Sequence, residues 1–86
     1  MFYTYILKSI KDKRLYIGAT GDLRKRVKEH NSGAVRSTKG RIPFKLVYYE
    51  AYGAEEDAWK REHNLKLRTK ALQQLMRRIE KSIASS

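Results

Sequence analysis

The stretch Leu15-Tyr16-Ile17-Gly18-Ala19-Thr20-Gly21-Asp22-Leu23 carries the decisive change of pattern in this chain. Leu15 to Ile17 read as a strand, because aromatic and branched side chains fit a half-buried pleated surface. Gly18 ends that run. A glycine within a strand marks a bulge or a close backbone approach, and an incoming phosphate would use such space. Thr20-Gly21-Asp22 opens a helix, with Asp22 or Thr20 as the cap that accepts a free backbone N–H. Leu23, Val27 and His30 then stand at i, i+4 and i+7, one face of a helix. Asn31-Ser32-Gly33 stops it with residues suited to a left-handed cap.

Outward from this stretch the pattern is simple. Tyr3 to Lys8 forms a strand, Ser9 to Lys13 a polar turn, and the two strands pair as an antiparallel hairpin. An even loop count would set Tyr5 opposite Tyr16. Phe44 to Tyr52 is a third strand, its alternation placing Phe44, Leu46, Tyr48 and Glu50 on one side. Glu55-Glu56-Asp57 open a second helix, acidic where the helix dipole favours negative charge, and it runs to about Leu67. Arg68-Thr69 is a joint with Thr69 as cap. A basic third helix over about 69–83 carries the apolar stripe Ala71, Leu72, Leu75, Met76, Ile79 and Ile83. Ser85-Ser86 should fray. The expected fold is α/β of the α+β kind: one domain over residues 1–86, a three-stranded antiparallel sheet flanked by helices, in the order β-β-α-β-α-α.

Composition narrows the function. Twenty Lys and Arg against nine Asp and Glu give a net charge of +11. That excess points to a polyanionic partner, nucleic acid first. No apolar run reaches the ~18 residues of a membrane span. Without cysteine there is neither disulfide nor thiolate metal site, which suits the cytoplasm. Arg24, Lys25, Lys28, Arg36, Lys39 and Arg41 form the basic stretch expected to hold phosphates.

Five polar residues stand where packing alone explains them poorly. Ala58, Trp59 and Leu65 flank Glu62 at helical spacing, which puts its carboxylate on the apolar face. Two readings follow: an ion pair with Lys or Arg, or a ligand for a hard cation. Arg26 and His30 lie one turn apart, next to the Leu23 and Val27 stripe, and form an anion clamp or a capped core. Tyr5 and Tyr16 on the facing strands are core residues or proton-handling groups.

Tyr16-Ile17-Gly18, Asp22-Leu23, Arg26, His30-Asn31, Ala58 and Glu62 together resemble the signature of the GIY-YIG nuclease family. Tyr3-Thr4-Tyr5 stands where that family has Gly-Ile-Tyr, and the chain is similar to its small stand-alone bacterial members. Arginine follows Tyr16 by ten residues, histidine by fourteen and glutamate by forty-six (26 − 16, 30 − 16, 62 − 16), a spacing far more specific than the tripeptide. The match spans about Tyr3 to Leu67.

The resemblance implies a metal-dependent endonuclease that hydrolyses nucleic acid, DNA ahead of RNA with the choice between them left open, and uses one divalent ion, Mg²⁺ or Mn²⁺. Because the chain is almost all nuclease core, its substrate choice would rest on structure, such as branches, flaps or ends in repair or recombination, or on a protein partner. Tyr5 would shape the site, Tyr16 help activate water, Arg26 stabilise phosphate charge, His30 support proton transfer or the phosphate contact, and Glu62 hold the metal. The alternative is a non-catalytic nucleic-acid-binding protein on the same fold. Ala19 stands where repair members carry lysine, and no late asparagine follows Leu67.

Overall fold

The computed structural model describes residues 1–85; Ser86, expected to fray, lies outside them. Strands β1 (Phe2–Ser9), β2 (Leu15–Thr20) and β3 (Phe44–Tyr52) form one antiparallel sheet with β1 in the middle, in the order β2-β1-β3. Helix α1 (Leu23–Ser32) lies on one face. Helices α2 (Glu55–Lys66), α3 (Lys70–Arg78) and α4 (Glu80–Ala84) cover the other, and a 3-10 turn (Lys39–Arg41) precedes β3. The β-β-α-β-α-α order and the three-stranded antiparallel sheet match the sequence reading.

The α1 caps are the expected ones. Asp22 accepts from the Lys25 N–H, and Gly33 takes the left-handed conformation at φ 83°. At the α2–α3 joint Arg68 takes φ 56°, while Thr69 occupies the cap position without a side-chain hydrogen bond.

Four expectations are corrected. The strict alternation of β3 fails because a bulge lies between its pairings with Ile6 and Leu7: Tyr48 pairs with Ile6, but Leu46 pairs with Leu7. The extra residue re-phases the strand. Phe44 and Leu46 therefore face α1, while Val47 and Tyr48 join the core under α2 and α3.

In the hairpin Tyr5 pairs with Gly18 and Tyr16 with Leu7, so the two tyrosines are diagonal neighbours on one face rather than opposite. The third helix is two helices. Buried Ile79 leaves helical geometry at φ −119°, ψ 24°, and the bend keeps Ile83 against the core. There the Ile83 carbonyl accepts from Lys8 Nζ at 2.9 Å.

Trp59 is 55% exposed, not part of the buried face. Small Ala58 sits directly on the sheet, where its carbonyl accepts from the Thr4 hydroxyl at 2.7 Å. That approach leaves no room beneath α2 for an indole.

The two faces differ in content. Under α2 and α3 the core is apolar: Ile6, Ile17, Leu65, Leu72, Leu75 and Ile79. Under α1 it consists of Tyr5, Leu7 and Phe44, with Tyr16, Leu23, Val27 and Leu46 around them. His30 and Thr38 are buried in the same layer.

Candidate active site

Tyr5 lies at the centre of the α1 layer. The ring crosses Gly18, where a Cβ would collide with the phenol oxygen and Cζ. Gly18 thus makes room for Tyr5 itself, not for an incoming phosphate as its place in the strand suggested. The hydroxyl lies 2.9 Å from His30 Nε2. His30 has no exposed surface, and its Nδ1 lies 2.9 Å from Thr38 Oγ1.

The direction of this chain follows from donor counting. The Thr38 hydroxyl donates to the Val35 carbonyl, so it accepts from His30 Nδ1–H. Burial, with Arg26 adding to it, pushes the His30 pKa down and keeps the ring neutral. Nε2 is then bare and accepts from Tyr5. The Tyr5 proton points inward, and burial pushes the phenol up to about 12 although Arg26 pulls it down. Tyr16 and Glu62 add to the rise, which sets both in the electrostatic neighbourhood of Tyr5.

Arg26 lies on the flank of α1, where its guanidinium interacts with the Tyr5 hydroxyl and pairs with Glu29 at 3.3 Å. Tyr16 is differently placed. Its ring packs edge-on against His30 at 4.9 Å and near Phe44 at 6.5 Å. Among the described residues its hydroxyl has no hydrogen-bond partner, yet no polar side-chain atom there is buried and unsatisfied. The Tyr16 oxygen therefore faces solvent.

Glu62 comes from the other layer. Two anchors fix α2 across the sheet. One is the Thr4–Ala58 hydrogen bond. The other is the Arg61–Glu50 pair, doubly bonded at 3.0 Å, with Tyr48 and Tyr52 also donating to Glu50. Glu62 follows Arg61 directly and stands at the edge of the buried face with its side chain 24% exposed. It pairs with Lys66 at 2.8 Å, the ion-pair reading of its position. Lys66 Nζ also lies 6.0 Å from the Tyr16 ring centre, linking the two layers around the edge strand β2.

A partly exposed i,i+4 pair of this kind contributes ~0.3–0.5 kcal/mol and is readily given up. Among the described residues no three His, Asp or Glu side chains gather as a cation site. The donor set suits a hard ion held by one carboxylate, with water and phosphate completing its shell.

The basic residues divide. Arg24, Lys25 and Lys28 line two grooves along the outer side of α1, and Arg36 and Lys39 are exposed beyond it. Arg41 is partly exposed but already engaged by its own chain: it pairs with Asp12 at 2.8 Å and lies over the Phe44 ring at 5.5 Å. Sequence reasoning missed Thr38 and Lys66. Lys66 was legible as the i+4 partner of Glu62. Thr38 sits in a loop with no periodicity to mark it.

Residues 1–77 match the family model described as the GIY-YIG catalytic domain. Similar curated proteins include UPF0213 protein CPE1444 of Clostridium perfringens, 46% identical over 81% of this chain and 75% of the relative. UPF0213 protein HQ_3675A of Haloquadratum walsbyi is 40% identical over 84% of this chain and 81% of its own. Among solved structures, the solution NMR structure of UPF0213 protein BH0048 from Bacillus halodurans is similar. It has 36% identity and a TM-score of 0.53, covering 88% of this chain and 82% of the other.

Proposed function

This chain belongs to the GIY-YIG family, and from that premise we propose that it is an endonuclease hydrolysing DNA phosphodiester bonds with one divalent ion, Mg²⁺ or Mn²⁺. The observation that carries the reading is the gathering of Tyr5, Tyr16, Arg26 and Glu62 around the β2 edge, from opposite faces of the sheet.

Each side chain has a task suited to its surroundings. Arg26 takes the charge that develops on the phosphate. Tyr16 has the free hydroxyl, so it orients the attacking water, and in its deprotonated form it would receive that water's proton. Tyr5 is tied to His30 and holds Arg26 in place. The burial of His30 favours support through Tyr5 over direct phosphate contact. Glu62 would exchange Lys66 for the cation, which supplies Lewis-acid polarisation of the phosphate when bound. The water oxygen bonds to phosphorus in line with the leaving oxygen, whose bond to phosphorus breaks and which takes its proton from solvent.

Arg24, Lys25, Lys28, Arg36 and Lys39 supply phosphate contacts. We place the activity in the cytoplasm, in repair or recombination, with a protein partner adding specificity; no helix among the described residues is long and apolar enough to cross a membrane.

The test is cleavage of branched, nicked, single-stranded and duplex DNA with and without Mg²⁺ or Mn²⁺, by the parent and by Glu62→Gln. Metal-dependent cutting by the parent is expected. In the folded variant it should fall ~10³-fold or more, the scale of several kcal/mol of lost charge stabilisation. A folded Glu62→Gln that cuts as well as the parent overturns the ligand role. A parent that binds DNA but never cuts supports the non-catalytic alternative.

A further inference from the structure

On the other flank of α1, away from Arg26, an open groove of about 630 Å³ separates the helix from β3. Its floor is aromatic and aliphatic. Tyr3 and Tyr49 meet edge to face at 5.8 Å, with Leu46 and Val27 beside them. Tyr49 is 52% exposed, an unusual position for so large a ring in a sheet interior face. α1 is too narrow to cover the whole sheet, and the re-phasing at the β3 bulge puts Tyr49 in the same layer as Tyr5, with which it pairs.

Arg24 and Lys28 form the rim. Among the described residues neither makes an ion pair. The Asp22 carboxylate at the groove's end is engaged as the α1 cap.

An exposed aromatic face beside uncommitted cations fits a ligand with flat faces and negative charge repeating along a chain. Unpaired nucleic acid has both, whereas the bases of a duplex are stacked on each other and offer their faces only at ends. An acidic protein segment would match the charge but not the ring. We propose that this groove seats an unpaired strand, one base stacked on Tyr49 and its flanking phosphates on Arg24 and Lys28. The inference rests on the reading that the protein acts on nucleic acid and narrows its substrate. Because α1 alone separates the groove from the Arg26 flank, the preferred substrate carries a single-stranded arm next to the duplex that is cut.

Fluorescence anisotropy without divalent ions tests this on the full chain, comparing a labelled flap duplex with a blunt duplex of the same sequence. The parent should bind the flap about tenfold to a hundredfold more tightly, the scale of base–aromatic stacking. Tyr49→Ala should erase that preference and leave blunt-duplex affinity unchanged, lowering the melting temperature by only a few degrees for the lost Tyr3 contact, while Tyr49→Phe retains the preference. A folded Tyr49→Ala with the parental flap preference overturns the proposal. So does sedimentation showing a parental dimer that Tyr49→Ala dissolves with flap preference intact, which makes the groove a contact between copies. Glu62→Gln, run in parallel for cleavage, reports on the nuclease reading alone, so the two failures are distinguishable.

Discussion

The two sides of the sheet use burial in opposite ways. Under α2 and α3, Ile6, Leu65, Leu72 and Leu75 bury hydrocarbon with no polar atom among them. Under α1 the most buried groups include a phenol, an imidazole and a threonine hydroxyl, linked end to end as Tyr5–His30–Thr38. Apolar burial stabilises in rough proportion to area and tolerates small shifts. A buried polar chain is worth little net but costs heavily if one link is missing, so it fixes geometry more than it adds stability. Polar anchors also hold α2, in the buried Thr4–Ala58 bond and the Arg61–Glu50 pair. The larger apolar cluster nevertheless lies on that face and the chain of buried polar side chains on the other, and Lys66 and Glu62 meet that chain's surroundings at the β2 edge.

The sharpest way to separate the two sides is Tyr16→Phe. The ring keeps its packing against His30 and Phe44. Only a solvent-facing hydroxyl goes. Single-turnover cleavage should slow by roughly 10²–10⁴-fold, the scale of a lost general base. Binding and melting temperature should hardly move. Cutting at close to the parental rate would remove Tyr16 from the chemistry and leave it a packing residue.

Leu65→Ala probes the other side. Leu65 has no exposed surface and lies in the apolar cluster. The deletion should cost ~2–5 kcal/mol of stability by denaturant unfolding. Cleavage per folded molecule, measured well below the melting point, should stay within a few-fold of the parent, because the Thr4–Ala58 and Arg61–Glu50 anchors still hold α2. A rate loss as large as that of Tyr16→Phe would mean that the layers are not separable.

These assignments were unequally legible in the sequence. The elements were readable because periodicity and caps are local: Asp22 and Gly33 cap α1 as their residue types require. The site partners on one helix were readable too, since Arg26 and His30, or Glu62 and Lys66, are fixed by helical spacing. What crossed the fold was not. The phase of β3 depends on one inserted residue, and only its pairing with β1 shows the bulge. The exposure of Trp59 depends on how closely Ala58 meets Thr4. Thr38 reaches His30 through a loop whose path no pattern in the sequence encodes.

Thr38→Val tests that unforeseen link. It keeps the shape and removes the acceptor of His30 Nδ1–H, leaving a buried donor unsatisfied at a cost of ~1–3 kcal/mol. The expected signature differs from that of Leu65→Ala. Some stability is lost, and cleavage also slows by about tenfold, because the ring that orients Tyr5 is free to change its tautomer. A variant with lower stability and parental cleavage would reduce Thr38 to packing.

The smallest expected effect is on pH. Burial first, and Arg26 second, hold the His30 pKa below its unfolded value of about 6.5, with Glu29 opposing them. The unfolded chain therefore binds this proton more readily than the folded one. The stabilisation is complete above about pH 6.5 and is lost as pH falls through that value toward the folded pKa. One group changes stability by at most about 1.4 kcal/mol per pH unit. Glu50 and Asp12, whose carboxyls are held down by Arg61 and Arg41, respond only below the ordinary carboxylate range. The drop between pH 7 and 5 thus isolates the α1 layer. His30→Gln keeps a donor and an acceptor in the same place but has no proton to gain, so its melting temperature should fall less steeply across this window. Parallel curves for parent and variant would mean that His30 accepts a proton without cost, against a ring held neutral between Tyr5 and Thr38.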